Sequence, residues 1–430
     1  MRASARILLG LGLVVLALAA VVRFVVPDLA VKYPADLDQT AKATGTFTLY
    51  LNPVTKAPLA QPVQGRLDID RRLRVVESTG SRAVVQETDD QVITLPILRE
   101  PLRQRFLQQF VLDRSTLRNL ADGRSFAYGP GSPVDRAPNY SVNLPFSTGD
   151  GPYPIWKNEV GRAYDFRSEG TVRREGLTLT RLRGQLRDAR VQAYYLDQLG
   201  AAGVTRTATL TELRPQLQAQ GIDLVGLTRT VLPRMSPADR AVLVRLAGEP
   251  VRLDYRLDVD TRLQVEPTTG AIVALDRIAQ TLAVRPDPAS VRPLRAVLQR
   301  YAGDPVVSSA LSGLDRLESG PPTRVFAVDY GQTAASVARI ADYAAGKADQ
   351  IRLVRRWLPL TLLLIGGLLL AGGVVLTRRR PAQPARPAQP SQPAQLSQPA
   401  AAGPPLPRAG EATGGSAPGG GTEPVERPVG

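Results

Sequence analysis

The sequence predicts an α+β protein held to a membrane at both ends. It has a β-rich central domain with a duplicated β unit and a few helices, an apolar transmembrane helix on either side, and a disordered Pro-rich tail. Three observations predict this. Two runs of twenty residues, 7–26 and 358–377, carry one charge and none. Between them apolar and polar residues alternate over strand-length stretches, and one such stretch occurs twice. Beyond the second run the composition shifts to Pro, Ala, Gln and Gly.

Residues 1–6 form a short basic amino terminus. Residues 7–26 (ILLGLGLVVLALAAVVRFVV) would span about 30 Å as a helix, the thickness of a bilayer core, with Arg23 close enough to one end to snorkel. A cleaved signal peptide competes with this reading, since Ala17-Leu18-Ala19 resembles a cleavage motif. The apolar run continues to Val26, which favours a retained anchor. A first β-rich unit follows over 27–137, where Phe47, Leu49 and Leu51 alternate with Thr46, Thr48 and Tyr50.

Residues 138–166 hold Tyr140, Phe146, Tyr153, Trp156, Tyr164 and Phe166 among several prolines. Such a segment either lines a groove for an acyl chain or sugar, or plugs the end of a barrel or sandwich. The residues expected to touch a ligand are Phe146, Tyr153 and Trp156. A second β-rich unit with helical insertions occupies 167–285. It includes a hairpin across Glu175-Gly176 and a strand in which Val251, Leu253, Tyr255, Leu257 and Val259 alternate with charged residues. Helices are expected over Leu210 to Gln220, after Ser236 and over Asp287 to Tyr301. Residues 286–357 read as a helical stalk, with Val337, Ile340, Ala344, Ala348 and Ile351 at helical spacing.

The second span, 358–377, begins after Trp357 and is followed by Arg378, Arg379 and Arg380. Gly366, Gly367, Gly372 and Gly373 leave surface on which another helix can pack, including that of a second copy. The flanking arginines predict two passes with both termini cytoplasmic and the central domain extracytoplasmic. Residues 378–430 cannot build a core and read as a disordered cytoplasmic tail.

Residues 66–80 (RLDIDRRLRVVESTG) and 256–270 (RLDVDTRLQVEPTTG) agree at nine of fifteen positions without a gap. The repeat implies a duplicated β unit of two short strands ending in a Gly turn. Its Asp-x-Asp pairs, Asp68 with Asp70 and Asp258 with Asp260, invite a divalent-cation reading, because alternate strand residues share a face. The same alternation buries Leu67, Ile69, Leu257 and Val259. The carboxylates are therefore expected in solvent, paired with Arg on neighbouring strands.

The chain of 430 residues has no Cys and no His, which removes thiolate nucleophiles, disulfides, imidazole bases and zinc sites of the usual donors. No catalytic residue, metal or cofactor is expected, and the protein is read as a non-enzyme. Net charge is +15, with only five Lys, but it is spread along the chain rather than gathered into a nucleic-acid footprint.

Leu144-Pro145-Phe146, Tyr153-Pro154-x-Trp156 and the stretch from Val259 to Gly270 resemble the actinobacterial two-span envelope proteins labelled porin PorA-like, otherwise a domain of unknown function. The resemblance covers roughly residues 5–380 and supplies no catalytic residue. Its label implies a pore, whereas a spanning barrel needs about eight or more strands with an apolar outer face. The layout is also similar in topology to the scavenger-receptor class of lipid transporters. The expected function is binding or handing over a lipid or glycolipid, or scaffolding envelope lipid transport. The expected partners are membrane lipids and transport or assembly proteins. A ligand-free assembly factor and a porin-like channel are the alternatives.

Overall fold

A computed structural model describes residues 2–26, 31–52, 55–200 and 203–378; the expected tail lies outside the described residues, apart from Arg378. The strands are β1 (Asp38–Leu51), β2 (Pro58–Ser78), β3 (Arg82–Thr94), β4 (Leu102–Asp113), β5 (Tyr153–Lys157), β6 (Arg162–Arg174), β7 (Leu177–Arg190), β8 (Thr207–Ala208), β9 (Val251–Glu266), β10 (Ala271–Pro286) and β11 (Thr323–Gln332). They form one antiparallel sheet in the order β4-β3-β2-β1-β11-β10-β9-β7-β6-β5, with β8 beside β9. Both β-rich stretches expected from the sequence therefore lie in a single sheet.

The repeat forms corresponding hairpins, β2–β3 and β9–β10. Each copy makes one long strand rather than two short ones, and in β2 a bulge between Val75 and Glu77 is taken up without ending the strand. The Asp-x-Asp carboxylates face outward. Asp70 pairs with Lys42 at 3.1 Å, Asp68 with Arg66 at 2.8 Å, and Asp260 with Arg183 on β7. Leu67, Ile69, Leu257 and Val259 lie on the buried face. Glu175 and Gly176, both at positive φ, turn β6 into β7 as the sequence implies.

Helices are confined to the ends and the crossovers: α1 (Arg2–Phe24), α2 (Ala193–Gln198), α3 (Arg214–Ala219), α4 (Pro237–Gly248), α5 (Pro288–Gln299), α6 (Pro305–Ser319), α7 (Ala334–Arg352) and α8 (Leu358–Arg378). The Ser236 side chain caps α4 by accepting from Asp239 N; Asp287 and Asp304 cap α5 and α6 in the same way. α3 starts later than the apolar spacing suggests, since Thr209 and Glu212 hydrogen-bond each other in a turn ahead of it. Leu213, Leu217, Ile222, Leu294, Leu298 and Leu314 give the crossover helices a core of their own. The stretch 286–357 is not wholly helical: β11 lies within it, beside β1 and β10 at the middle of the sheet.

α7 packs Val337, Ala341 and Ala344 against Leu179, Val273 and Ala274 of the sheet. One π turn, Leu353–Trp357, joins it to α8, so a single helix runs from Ala334 to Arg378. α8 lies along α1. A Cβ on Gly366 would sit 2.9 Å from Leu16, one on Gly373 2.8 Å from Leu9, and one on Gly12 2.9 Å from Leu370. Those glycines serve the pairing of the two apolar helices of one chain, whereas Gly367 and Gly372 face open space.

Candidate functional site

β4 and β5 are the edges of the sheet, and strand pairing does not join them. The connection between them, residues 114–152, closes the gap. Phe126 exchanges backbone hydrogen bonds with Gln109 of β4, while Tyr140 does so with Pro154 and Trp156 of β5. Arg136 clasps the seam and is the bulkiest fully buried side chain among the described residues. Its guanidinium donates to Gln109 O at 2.7 Å, Phe126 O at 2.9 Å and Asn158 Oδ1 at 3.0 Å, and lies 5.7 Å from the Phe110 ring. Asn158 also accepts from Trp156 Nε1 at 3.0 Å and donates to Gln108 Oε1. Burial pulls the Arg136 guanidinium down to about 10, so it remains charged at neutral pH.

The curled sheet encloses a cavity of about 230 Å³. Its walls divide chemically. Phe47, Leu49, Leu51, Leu95, Val204 and Leu213 supply an apolar part, towards the end of the sheet capped by the crossover helices. A polar belt is built from Arg71, Glu87 and Asp89, with Lys157, Glu159 and several glutamines. Arg71 projects from the same face of β2 as Leu67 and Ile69, and pairs with Glu87 and, at 3.3 Å, with Asp89 of β3. Lys157 and Glu159 pair at 2.7 Å, both largely buried. Tyr195 is buried and Tyr128 and Tyr330 half-buried beside the belt, and desolvation keeps their phenols protonated well above the ordinary range.

Asp89 Oδ1 is buried with no hydrogen-bond partner, apart from the Arg71 ion pair. Burial pushes its carboxyl up to about 7; Arg71 opposes the rise and Glu87 adds to it. An acid raised in the folded state binds its proton more tightly there. Its contribution to stability is present below the unfolded value, about pH 4, and is lost as pH climbs through 7. Asp89→Asn is therefore expected to flatten the melting temperature between pH 4 and pH 8, with its largest gain at pH 8. Thermal melts of both proteins across that range check this.

The three expected contact residues are not brought together. Trp156 lines the cavity. Phe146 lines a separate cleft against α7. Tyr153 packs edge-on against Tyr140 and accepts a hydrogen bond from Gly149 N at 2.6 Å. About a third of the aromatic segment is strand rather than loop, because β5 and the start of β6 fall within it. Sequence reasoning passed over Arg71, Glu87, Asp89, Lys157, Glu159 and Arg136. The signal for the first three was a charged residue in phase with the buried side of an alternating strand: Arg71 after Leu67 and Ile69, Glu87 and Asp89 between Val85 and Ile93.

Two of the three sequence motifs meet at the membrane side of the sheet. Leu144 N donates to Gly270 O at 2.9 Å and Thr148 N to Pro267 O at 2.7 Å. From the helix below, Arg355 reaches Ser147 Oγ at 3.0 Å and Arg352 approaches the buried Glu266 at 3.5 Å. This junction fixes the domain to the helix that continues into α8.

Two long apolar helices lie side by side, and the curled sheet carries ion pairs on its outer face and a cavity within. These mark a membrane protein whose sheet carries paired charges on its outer face. The chain belongs to the Porin PorA family, which it matches over residues 4–375. No curated protein matches the chain.

Proposed function

We propose that the protein is a two-pass envelope membrane protein, with both termini cytoplasmic and the sheet domain extracytoplasmic, and that it holds a lipid or glycolipid inside the curled sheet. On this reading it is not an enzyme; it stores the ligand or hands it to transport or assembly proteins. One observation carries the proposal: a single cavity joins an apolar wall at Leu49, Leu51 and Val204 to a belt of paired charges and amides. An amphipathic ligand suits such a wall, its chain against the aliphatic side chains and its polar part at Arg71, Glu87 and Asp89. Two helices are long and apolar enough to account for membrane attachment.

Native mass spectrometry of the full-length protein released from micelles tests this. The wild type is expected to carry a bound lipid, and Val328→Trp, which fills the cavity from β11, is expected to lose it. A wild type that emerges empty, or a variant that keeps the same lipid, overturns the reading. Membership of the Porin PorA family favours a channel as the second reading. On the lipid reading, planar bilayers containing the protein are expected to show no unitary conductance, and reproducible single-channel steps would establish the channel. A homo-oligomer would use Gly367 and Gly372, which face away from α1.

A further inference from the structure

A second cleft, of about 320 Å³, opens between the segment 31–37 that follows α1 and one face of α7. It shares no lining residue with the cavity. Its lower lip is Ile351 and Val354. Val354 precedes Leu358, the first residue of α8, by four positions, about 6 Å of helix. The interfacial layer on each side of a bilayer core is about 5–7 Å deep, so the cleft opens at headgroup height. Trp357, well exposed, lies between the cleft and the span, where an indole favours the interface.

Above that lip the cleft is basic, with Lys347 seven residues, about 10 Å of helix, beyond Val354. Lys32 and Lys347 both line the cleft and are half-buried, and Asp36 is the one carboxylate among the lining residues. Lys32 Nζ donates to Gly80 O at 3.2 Å; Lys347 Nζ reaches Gln350 Oε1 at 3.4 Å and lies 5.7 Å from the Tyr343 ring. At the inner end, the Tyr33 hydroxyl is buried without a hydrogen-bond partner. Burial, with smaller contributions from Tyr343 and Glu87, holds its pKa far above the ordinary phenol value, so it stays a donor.

We infer that this cleft binds the headgroup of an acidic phospholipid from the adjoining leaflet. The phosphate sits between Lys32 and Lys347 and meets the Tyr33 hydroxyl. The glycerol lies against Ile351 and Val354, with the headgroup drawn up into the cleft, and the acyl chains run down past Trp357 into the bilayer beside α8. The site is independent of whatever the cavity holds.

The test uses the full-length protein in micelles doped with equal amounts of phosphatidylglycerol and phosphatidylcholine, read by native mass spectrometry. The wild type is expected to retain phosphatidylglycerol at least five-fold over phosphatidylcholine. Lys32→Glu with Lys347→Glu is expected to bring the two to parity; if that pair does not fold, Lys347→Gln alone is expected to cut the preference by half or more. Val328→Trp, which fills only the cavity, is expected to keep the preference. Equal retention by the wild type, or an unchanged preference in the lysine variants, overturns the inference. Loss of phosphatidylglycerol in Val328→Trp also overturns it, by assigning that lipid to the cavity.

Discussion

Arg136→Ala is expected to destabilise the folded protein by about 3–5 kcal/mol, a large part of the stability of an ordinary domain. The side chain is fully buried and ties together groups from three places in the chain: Gln109 O on β4, Phe126 O in the connecting segment, and Asn158 Oδ1 just after β5. Truncation empties a volume the size of the guanidinium and its stem, and removes donors that dry acceptors rely on. Arg136→Lys is expected to be worse than Arg136→Met. A lysine would bring a compact charge into the same dry place without the planar fork that serves several acceptors at once. Trp156 donates to the same Asn158 Oδ1. Urea titration followed by tryptophan fluorescence reports the seam, and Arg136→Ala is expected to shift its midpoint to lower urea.

Gly270→Ala is expected to cost about 3 kcal/mol or more. The residue has φ +69°, and a Cβ there would lie 1.9 Å from Leu144 O and 2.7 Å from Pro145 O. Both are backbone atoms, and neither can turn aside. Relief requires the 144–148 segment to lift off the turn, which breaks the hydrogen bonds of Leu144 and Thr148 with it. Gly176→Ala is the control: its φ is +73°, with nothing within 4 Å, so only the conformational cost of about 1–2 kcal/mol applies. The difference between the two midpoints measures the contact alone.

That pair of glycines also shows how far the sequence could be read. The repeat marked a duplicated β unit, and its two copies are corresponding strands, since the alternation that buries Leu67 and Ile69 also buries Leu257 and Val259; it did not show that each copy is a single strand of a longer hairpin. It could not distinguish Gly80, which has open space around it, from Gly270, which lies against Leu144. That difference depends on a segment more than a hundred residues away along the chain. The two apolar helices and the outward Asp residues were legible, because length and period fix them locally. Strand order was not, because β1 pairs with β11 and nothing in either strand names its neighbour. The cavity was half legible. The charge in phase with the buried face at Arg71 was there to be seen, but its pairing with Glu87 and Asp89 follows only from the register of β2 on β3. The aromatic segment was noticed for its rings, while its structural weight falls on Arg136, two residues before it.

The pairing of β1 with β11 has a consequence for the order in which the protein is made. Ala43 lies opposite Gln332, so β1 waits for a partner that leaves the ribosome roughly 290 residues later, or about 15–60 s at ordinary elongation rates. During that interval β1 to β4 exist as a half-sheet whose β1 edge bears free amide and carbonyl groups and whose inner face shows Phe47, Leu49 and Leu67 to water. The growing chain is thus most exposed to mispairing before its last strand arrives, and the arrival of β11 completes the run of paired strands from β4 to β5.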